Sequence, residues 1–278
     1  IGGVNAGPAV RKIAREFEID LKNIRPTGKN NKVTKEDLKN YIHSFDKSDV
    51  KAISFSEEDL SSFGDYSIVK QSKIRSIGAK NLHESWVSIP HVTHYDEVDL
   101  TKYVSQMKNI KGSVLSYVVR SLTQALLKFP IFNSALLSEN NIMLRNYINI
   151  GIAVDTEDGL VVPVIRHADE LSVVQIDQQI TELASKARLK KLLKQDFEGS
   201  TFTVSSLGKI GGLGFTPIIN PPEVAILALS NFQKRLVMNN GKITENTFLP
   251  ISLSYDHRVI NGGDAGRFMV YLKDILES

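Results

Sequence analysis

His257 is the side chain in this 278-residue chain that is best placed for proton transfer. It stands in Ser254-Tyr-Asp-His-Arg-Val-Ile-Asn-Gly-Gly-Asp264, between an apolar segment and a predicted helix from Asp264 to Leu276. An isolated imidazole has a pKa near 6.5, so it accepts a proton readily at neutral pH. Loops commonly present reactive groups. The segment predicts a general base at His257, with Asn261 as a hydrogen-bonding residue four positions later.

A second candidate lies where a predicted strand meets a glycine-rich segment, Leu207-Gly-Lys-Ile-Gly-Gly-Leu-Gly214. Such loops cradle phosphates when a strand precedes them and a helix follows. Phe215-Thr-Pro-Ile-Ile-Asn-Pro-Pro222 is unsuited to begin a helix. The segment therefore favours a tight turn that displays Ser205 and Ser206 over a nucleotide site.

The pair His91-Val-Thr-His94 has a spacing that occurs in metal sites. Two imidazoles alone rarely hold a metal, and no third histidine or pair of carboxylates is obviously placed to complete the site. The absence of cysteine excludes disulfides, thiolate zinc sites and a cysteine nucleophile. The sequence therefore predicts no metal centre, with His83 on a helix face and His167 in a loop.

The elements that position these residues follow from charge and composition. Residues 1–42 have a net charge of +4, residues 43–72 a net charge of −3 with eight serines, and residues 73–278 a net charge of +2. These shifts predict a small basic module, a flexible linker and a large domain. The overall net charge of +3 disfavours a general nucleic-acid binder, and no apolar run approaches the roughly 20 residues of a membrane helix. Because the chain begins with Ile1 and no leader, we expect it to be part of a longer protein.

The large domain alternates between predicted helices and strands. Two long helices are expected, Gly112 to Leu127 and Val173 to Leu193. The predicted strands are Ile148 to Val154, Leu160 to Ile165, Ser200 to Ser205, Val224 to Leu229 and Leu249 to Ser254. Several strands with helices on one side predict an α/β sandwich of about 205 residues. The apolar helix that ends at Leu276 is expected either in a subunit interface or packed within its own subunit.

The sequence of the small basic module, residues 1–42, predicts two short helices around a tight loop. Pro8 suits the first position of a helix, and Thr34 with Asp37 has the form of a capping box. The apolar side chains of the first helix recur at helical spacing: Val10, Ile13, Ala14 and Phe17. About forty residues lie near the lower limit for independent folding, so docking is more plausible than catalysis.

The order of residues in this module resembles the peripheral-subunit-binding domain of 2-oxo acid dehydrogenase complexes. The matching segments are Gly7 to Glu16, Ile19 to Leu21, Thr27-Gly28 and Lys32 to Leu38. The resemblance implies that Arg11, Arg15 and Lys32 hold acidic surfaces of dihydrolipoamide dehydrogenase or the pyruvate decarboxylase component through residues 4–42. The family usually has arginine at the third position, and lysine keeps the charge without the planar fork.

The motif Asp256-His-Arg-Val-Ile-Asn-Gly262 is similar to the active-site signature of dihydrolipoamide acyltransferases, whose fold chloramphenicol acetyltransferase shares. The similarity covers residues 74–278, with matches at Asn81 to Thr93, Asp155 to Pro163, Phe202 to Gly208 and Pro221 to Leu227. It implies an α/β (α+β) sandwich of the CoA-dependent acyltransferase type behind a small all-α binding domain. The forms at Trp86 to Thr93 and Ser205 to Gly208 look most like the acetyl-transferring, pyruvate-complex branch; succinyl and branched acyl groups are alternatives.

The resemblance implies acetyl transfer between a lipoyl group and coenzyme A. His257 is then the base for the coenzyme A thiol, whose thiolate is the nucleophile. The family's oxyanion-stabilising hydroxyl corresponds to Ser205. Asn261 stands where many relatives have aspartate, and its expected role is to shape the loop. Relatives usually have glycine in the place of Lys190, near the coenzyme entrance, so coenzyme contacts are left unassigned.

The resemblance also implies a homotrimer in which His257 and Ser205 come from different chains, within a core of 24 or 60 chains. A lipoyl group is expected on a domain upstream of Ile1. A bacterial cytoplasm is the expected location, with an organelle matrix as the alternative. Two other functions remain open: a non-catalytic binding subunit of the same complexes, and an enzyme that acetylates a small hydroxyl compound.

Overall fold

The computed structural model describes seven ranges of the chain: 4–16, 19–46, 60–106, 112–138, 141–208, 211–239 and 241–278. The chain separates into two compact units, residues 1–69 and residues 70–278. Phe17 of the predicted helical stripe and residues 47–59 of the predicted linker lie outside the described residues.

In residues 4–16 and 19–46 the N-terminal unit has two α-helices, α1 (Pro8–Glu16) and α2 (Lys35–Asp46). Short 3₁₀ turns at Leu21–Asn23 and Lys29–Asn31 lie between them. Five buried apolar side chains form its small core: Val10, Ala14, Ile24, Val33 and Leu38. The two predicted helices are therefore present, and α2 continues past the predicted start of the linker at residue 43.

The predicted capping box opens α2. Thr34 Oγ1 accepts a hydrogen bond from the backbone N of Asp37 (3.1 Å), and Asp37 Oδ2 accepts one from the backbone N of Thr34 (2.8 Å). Across the loop, the hydroxyl and the backbone N of Thr27 donate to the same carboxylate. These bonds, above all the one from the Thr27 hydroxyl, hold the pKa of Asp37 well below its usual range. One carboxylate thus joins the loop to the start of α2.

The C-terminal unit is built on a mixed seven-stranded sheet with the order β1-β11-β9-β8-β4-β7, to which β10 adds by pairing with β11. Two short hairpins, β2–β3 and β5–β6, lie outside this sheet. The strands are β1 (His91–Asp99), β2 (Ser134–Ser138), β3 (Asn141–Leu144), β4 (Ile150–Ile152), β5 (Val154–Thr156), β6 (Gly159–Val161), β7 (Val164–Ile165), β8 (Phe202–Ser206), β9 (Ala225–Leu229), β10 (Gln233–Asn239) and β11 (Lys242–Asp256). β8 runs parallel to β4 and β9, and the other pairs are antiparallel.

Within the described residues of this unit, five α-helices accompany the sheet: α3 (Lys73–Ser88), α4 (Thr101–Gln106), α5 (Val114–Lys128), α6 (Val173–Arg188) and α7 (Gly262–Glu277). The aromatic centre of the core is Phe268 of α7, whose ring stacks on Phe132 at 4.1 Å and on Phe202 of β8 at 6.5 Å. α7 therefore packs within its own chain, one of the two expected arrangements. The predicted sandwich of strands with helices on one side is present.

The sheet has an apolar face and a polar face. Successive strand side chains point to opposite faces, so Phe202 and Val204 enter the core while Thr203 and Ser205 point the other way. On this polar face the hydroxyls of Thr93 and Ser254 lie 2.9 Å apart. The irregular segment 211–222 lies along this polar face. Ser205 therefore lies on the face opposite the helical core.

Candidate active site

His257 lies in the short turn between β11 and α7. Its side chain is exposed, whereas the preceding Asp256 is buried. The backbone N of His257 donates to the carbonyl oxygen of Pro90 (3.1 Å), and the ring lies 6.0 Å from that of Tyr255. Among the described residues, no side-chain hydrogen bond involves the imidazole. The turn thus fixes the backbone and leaves the ring accessible to a substrate.

The residues on either side of His257 form an ion pair that was not predicted from the sequence. Arg258 donates from Nε to Asp256 Oδ1 (2.9 Å) and from a terminal nitrogen to Oδ2 (2.7 Å). The hydrogen bonds to Asp256 raise the pKa of Arg258. Such a fork fixes the planes of both groups. The only sequence signal was the order acid, histidine, base.

Asn261 is the N-cap of α7. Its Oδ1 accepts a hydrogen bond from the backbone N of Asp264 (2.9 Å), which satisfies one of the free N–H groups at the helix start. None of the described hydrogen bonds joins Asn261 to His257. The structure therefore places Asn261 in the expected loop, where it shapes the end of the turn.

Ser205 lies near the end of β8 and is half-buried, while Ser206 is exposed. Ser205 is opposite Ala228 of β9, which in turn is opposite Ser252 of β11. His257 follows Ser252 by five positions, roughly 17 Å along the strand at about 3.4 Å per residue. Two strand spacings add about 10 Å across the sheet. The structure therefore does not bring Ser205 and His257 together within one chain.

Glu223 is a buried carboxyl that was not predicted from the sequence. Its Oε1 accepts a hydrogen bond from Thr203 Oγ1 (2.9 Å), two residues before Ser205, while Oε2 is buried without a partner among the described residues. Burial raises its pKa to about 7. It lines a cavity of about 500 Å³ that Asp256 and Arg258 also line. The sequence gives little signal for this burial, because glutamate is usually exposed.

The two histidines of the rejected metal pair lie on β1, three residues apart. Odd spacing on a strand places their side chains on opposite faces. His91 contacts Ile219 on the polar face, and His94 lies near Gly266 of α7. The pair therefore cannot share a metal ion. Within the described ranges, no group of three or more histidine, aspartate or glutamate side chains has the arrangement of a metal site.

The docking candidates lie in the N-terminal unit. Arg11 donates to the carbonyl oxygens of Val4 (2.6 Å) and Ala6 (3.1 Å), and Arg15 Nε donates to the carbonyl oxygen of Arg11 (3.3 Å). Both arginines line a groove of about 680 Å³. Lys32 is exposed after the second 3₁₀ turn. Arg11 thus also holds the segment that precedes α1, a role the sequence did not suggest.

Comparison with known proteins supports both units. The family model for the catalytic domain of 2-oxoacid dehydrogenase acyltransferases matches residues 63–278, and the model for the E3-binding domain matches residues 4–39. The helices of the described residues include none that is long and apolar enough to cross a membrane.

Two curated relatives are named dihydrolipoyllysine-residue acetyltransferase component of pyruvate dehydrogenase complex. The protein from Buchnera aphidicola subsp. Schizaphis graminum is 39% identical over 98% of this chain and 71% of its own length. The protein from Azotobacter vinelandii is 40% identical over 98% of this chain and 46% of its own length. The chain thus spans less than half of this second relative.

Two solved structures share the fold. Dihydrolipoamide acetyltransferase from Azotobacter vinelandii has a TM-score of 0.76 at 41% identity, and the cubic core of a pyruvate dehydrogenase multienzyme complex has 0.76 at 42% identity. Each match covers 82% of this chain and 98% of the other. The predicted fold class is confirmed. This chain is a member of the 2-oxoacid dehydrogenase acyltransferase family, with an acyltransferase catalytic domain that follows an E3-binding domain.

Proposed function

We propose that the chain transfers an acetyl group between a lipoyl group and coenzyme A, with His257, Ser205 and Asn261 at the active site. The proposal rests on the spacing of these three residues along the chain. The Azotobacter vinelandii structure concerns the role of a serine, a histidine and an asparagine in catalysis, which are 52 and 4 positions apart. Ser205, His257 and Asn261 have the same separations. Both curated relatives are acetyltransferases, which favours acetyl over succinyl or branched acyl groups.

The chemistry requires a base, a thiol and an oxyanion donor. The neutral imidazole of His257 removes the proton from the coenzyme A thiol, and the sulfur attacks the thioester carbon of the acetyl-dihydrolipoyl group. The carbonyl π electrons move to oxygen, and Ser205 donates a hydrogen bond to the resulting oxyanion. Collapse breaks the bond to the lipoyl sulfur, which takes the proton back from His257. Acetyl-CoA and dihydrolipoyl are the products.

Asn261 has a different part in this scheme. A carboxylate at its position would stabilise an imidazolium electrostatically, but a neutral amide does not. Its hydrogen bond to the backbone of Asp264 instead fixes the end of the turn that carries His257. Asn261 is therefore a positioning residue in the proposal.

The distance between the two proposed catalytic side chains supports assembly of several chains. Because His257 and Ser205 lie far apart in one chain, each active site takes them from two neighbouring copies. A homotrimer supplies three such sites. One of the matching solved structures is a cubic core, which supports assembly of the trimers into a larger core of 24 chains, with 60 as the alternative.

The N-terminal unit is proposed to dock dihydrolipoamide dehydrogenase, in agreement with the match to an E3-binding domain. Arg11, Arg15 and Lys32 supply the positive charges that hold the partner's acidic surface. The pyruvate decarboxylase component is the alternative partner. The lipoyl group belongs to a domain outside these 278 residues, and the bacterial relatives favour a cytoplasmic location.

The test is acyl transfer to free dihydrolipoamide, with acetyl-CoA and succinyl-CoA supplied separately. We expect transfer from acetyl-CoA that His257→Ala reduces by at least a hundredfold. Preference for succinyl-CoA would contradict the acyl assignment. No transfer by a folded, assembled protein would instead indicate a non-catalytic binding subunit.

A further inference from the structure

His91 bridges two segments near His257, although the proposed reaction does not use it. Its Nδ1 lies 2.8 Å from the carbonyl oxygen of Ile89, and its Nε2 lies 3.0 Å from the backbone N of Ile219. A carbonyl oxygen only accepts and a peptide N–H only donates, so Nδ1 carries the proton and Nε2 the lone pair. The imidazole is therefore neutral, with its tautomer fixed.

Ile219 is held through both of its backbone polar groups. Its N–H donates to His91, and its carbonyl oxygen accepts a 2.6 Å hydrogen bond from the hydroxyl of Ser85 on α3. Ser85 is 2% exposed, and the Ile219 side chain is buried with Ile89 and Ile226. Hydrogen bonds in such a dry setting fix position more strongly than the same bonds in water.

Both ends of this bridge lead to the backbone around His257. On the β1 side, Pro90 immediately precedes His91, and its carbonyl oxygen accepts the backbone N–H of His257 (3.1 Å). On the other side, the segment from Ile219 continues to Val224, whose carbonyl oxygen accepts the backbone N–H of Asp256 (2.8 Å). Two successive N–H groups of the active-site turn are thus held by the two segments that His91 joins.

We propose that His91 is a positioning residue for acyl transfer. Its neutral imidazole joins β1 to the segment 219–224 and so sets the position of the turn that carries His257. This inference rests on the proposed function, because the property it predicts is the rate of acyl transfer. A misplacement of about 1 Å costs up to roughly a hundredfold in rate.

Substitutions of His91 by residues with side-chain amides distinguish the contributions of its two hydrogen bonds. In His91→Gln the amide oxygen reaches the place of Nε2 and accepts from Ile219. In His91→Asn the shorter amide reaches only the place of Nδ1, and His91→Leu restores neither bond. His94→Gln and His94→Leu are matched controls on the opposite face of the same strand.

The measurement is steady-state acetyl transfer to dihydrolipoamide by the full assembled chain. We expect His91→Gln to keep kcat within about threefold, and His91→Asn and His91→Leu to lower kcat about tenfold or more. KM for acetyl-CoA and dihydrolipoamide should change by no more than about twofold, since the substrates do not touch His91 in the proposal. The His94 controls should keep wild-type kcat.

Two results would overturn the inference: wild-type kcat in all three His91 variants, or an equal loss in His91→Gln and His91→Leu. A wild-type chain without activity overturns the proposed function, and the inference with it. If His91→Leu does not fold, Ser85→Ala takes its place, since it removes the other hydrogen bond to Ile219. Ser85→Ala should lower kcat without raising KM; unchanged kcat would contradict the proposal.

Discussion

The carboxyl group of Glu223 is buried next to Thr203, which lies on the same strand as Ser205. Its two oxygens differ, because Oε1 accepts a hydrogen bond from the threonine while Oε2 has no partner among the described residues. Desolvation favours the neutral form and raises the pKa to about 7, although the nearby guanidinium of Arg145 opposes this rise. The protonation state of one side chain therefore changes in the physiological range, close to the proposed active site.

This pKa predicts a pH dependence of stability. An unfolded Glu223 loses its proton near pH 4.5, whereas the folded state keeps it until about pH 7. The folded state thus binds more protons between these values, and this group's contribution to stability decreases as the pH rises from 4.5 to 7. Glu223→Gln should remove the decrease and raise the melting temperature more at pH 8 than at pH 5, by about 3 °C.

Thermal melts of the assembled chain at both pH values test this prediction. Glu84→Gln is the control, because Glu84 lines the same cavity but is exposed. An equal shift at pH 5 and pH 8, or the same shift in the control, would assign the effect to something other than the buried carboxyl.

At the scale of elements, Asn261 caps the start of α7 (Gly262–Glu277), directly after the turn that carries His257. Asn261→Ala removes the hydrogen bond to the backbone N of Asp264 and should cost about 1 kcal/mol of stability. Asn261→Asp keeps a good capping side chain and places a negative charge at the helix start, so it should retain the stability. Urea denaturation measures both. Full activity in both variants would remove Asn261 from the proposed site.

The end of α6 offers a second test. Lys190 has φ = 56°, a left-handed conformation that favours glycine, and its ammonium group pairs with Asp158 in the turn between β5 and β6. Lys190→Gly and Lys190→Ala both lose this ion pair, but only glycine relieves the backbone. Lys190→Gly should therefore melt about 3 °C higher than Lys190→Ala. Equal melting temperatures would contradict the argument from backbone conformation.

How far the sequence predicts these elements depends on how local their signals are. The capping box at Thr34 and the strand that ends near Ser205 follow from neighbouring residues, and both were predicted. The predicted helix from Val173 to Leu193 is too long, because α6 ends at Arg188 and the turn at Lys190 is held by a residue from a distant hairpin. The order β11-β9-β8 has no local signal, since alternation marks a strand without naming its neighbour.

The lack of a local signal for contacts between distant segments also explains why some features of the site were not predicted. Glu223 is buried by residues from β8 and by Arg145, and the bridge from His91 to Ile219 spans 128 positions. The family resemblance supplied His257 and Ser205, but only the register of the sheet gives their separation within one chain. The candidate residues could thus be named from the local sequence and the resemblance, whereas their supports depend on contacts between distant segments.

For the whole molecule, that separation predicts complementation between two inactive chains. Ser205→Ala and His257→Ala should each be inactive alone. Co-expressed in equal amounts, they should regain about a quarter of wild-type activity, because one site in four takes its serine from a His257→Ala chain and its histidine from a Ser205→Ala chain. Acetyl transfer by the purified mixed assembly measures this. If each active site were formed within a single chain, the mixed assembly would regain no activity.

A mixture of wild-type chain with the double variant Ser205→Ala/His257→Ala gives an independent check. A shared site requires two wild-type neighbours, so equal mixing should leave about a quarter of the activity, whereas a site within one chain would leave about half. The two mixtures therefore predict equal activities if the sites are shared and very different activities if they are not. Because both comparisons use assembled protein with the same substitutions, loss of folding in one variant would lower both mixtures and would not imitate this pattern.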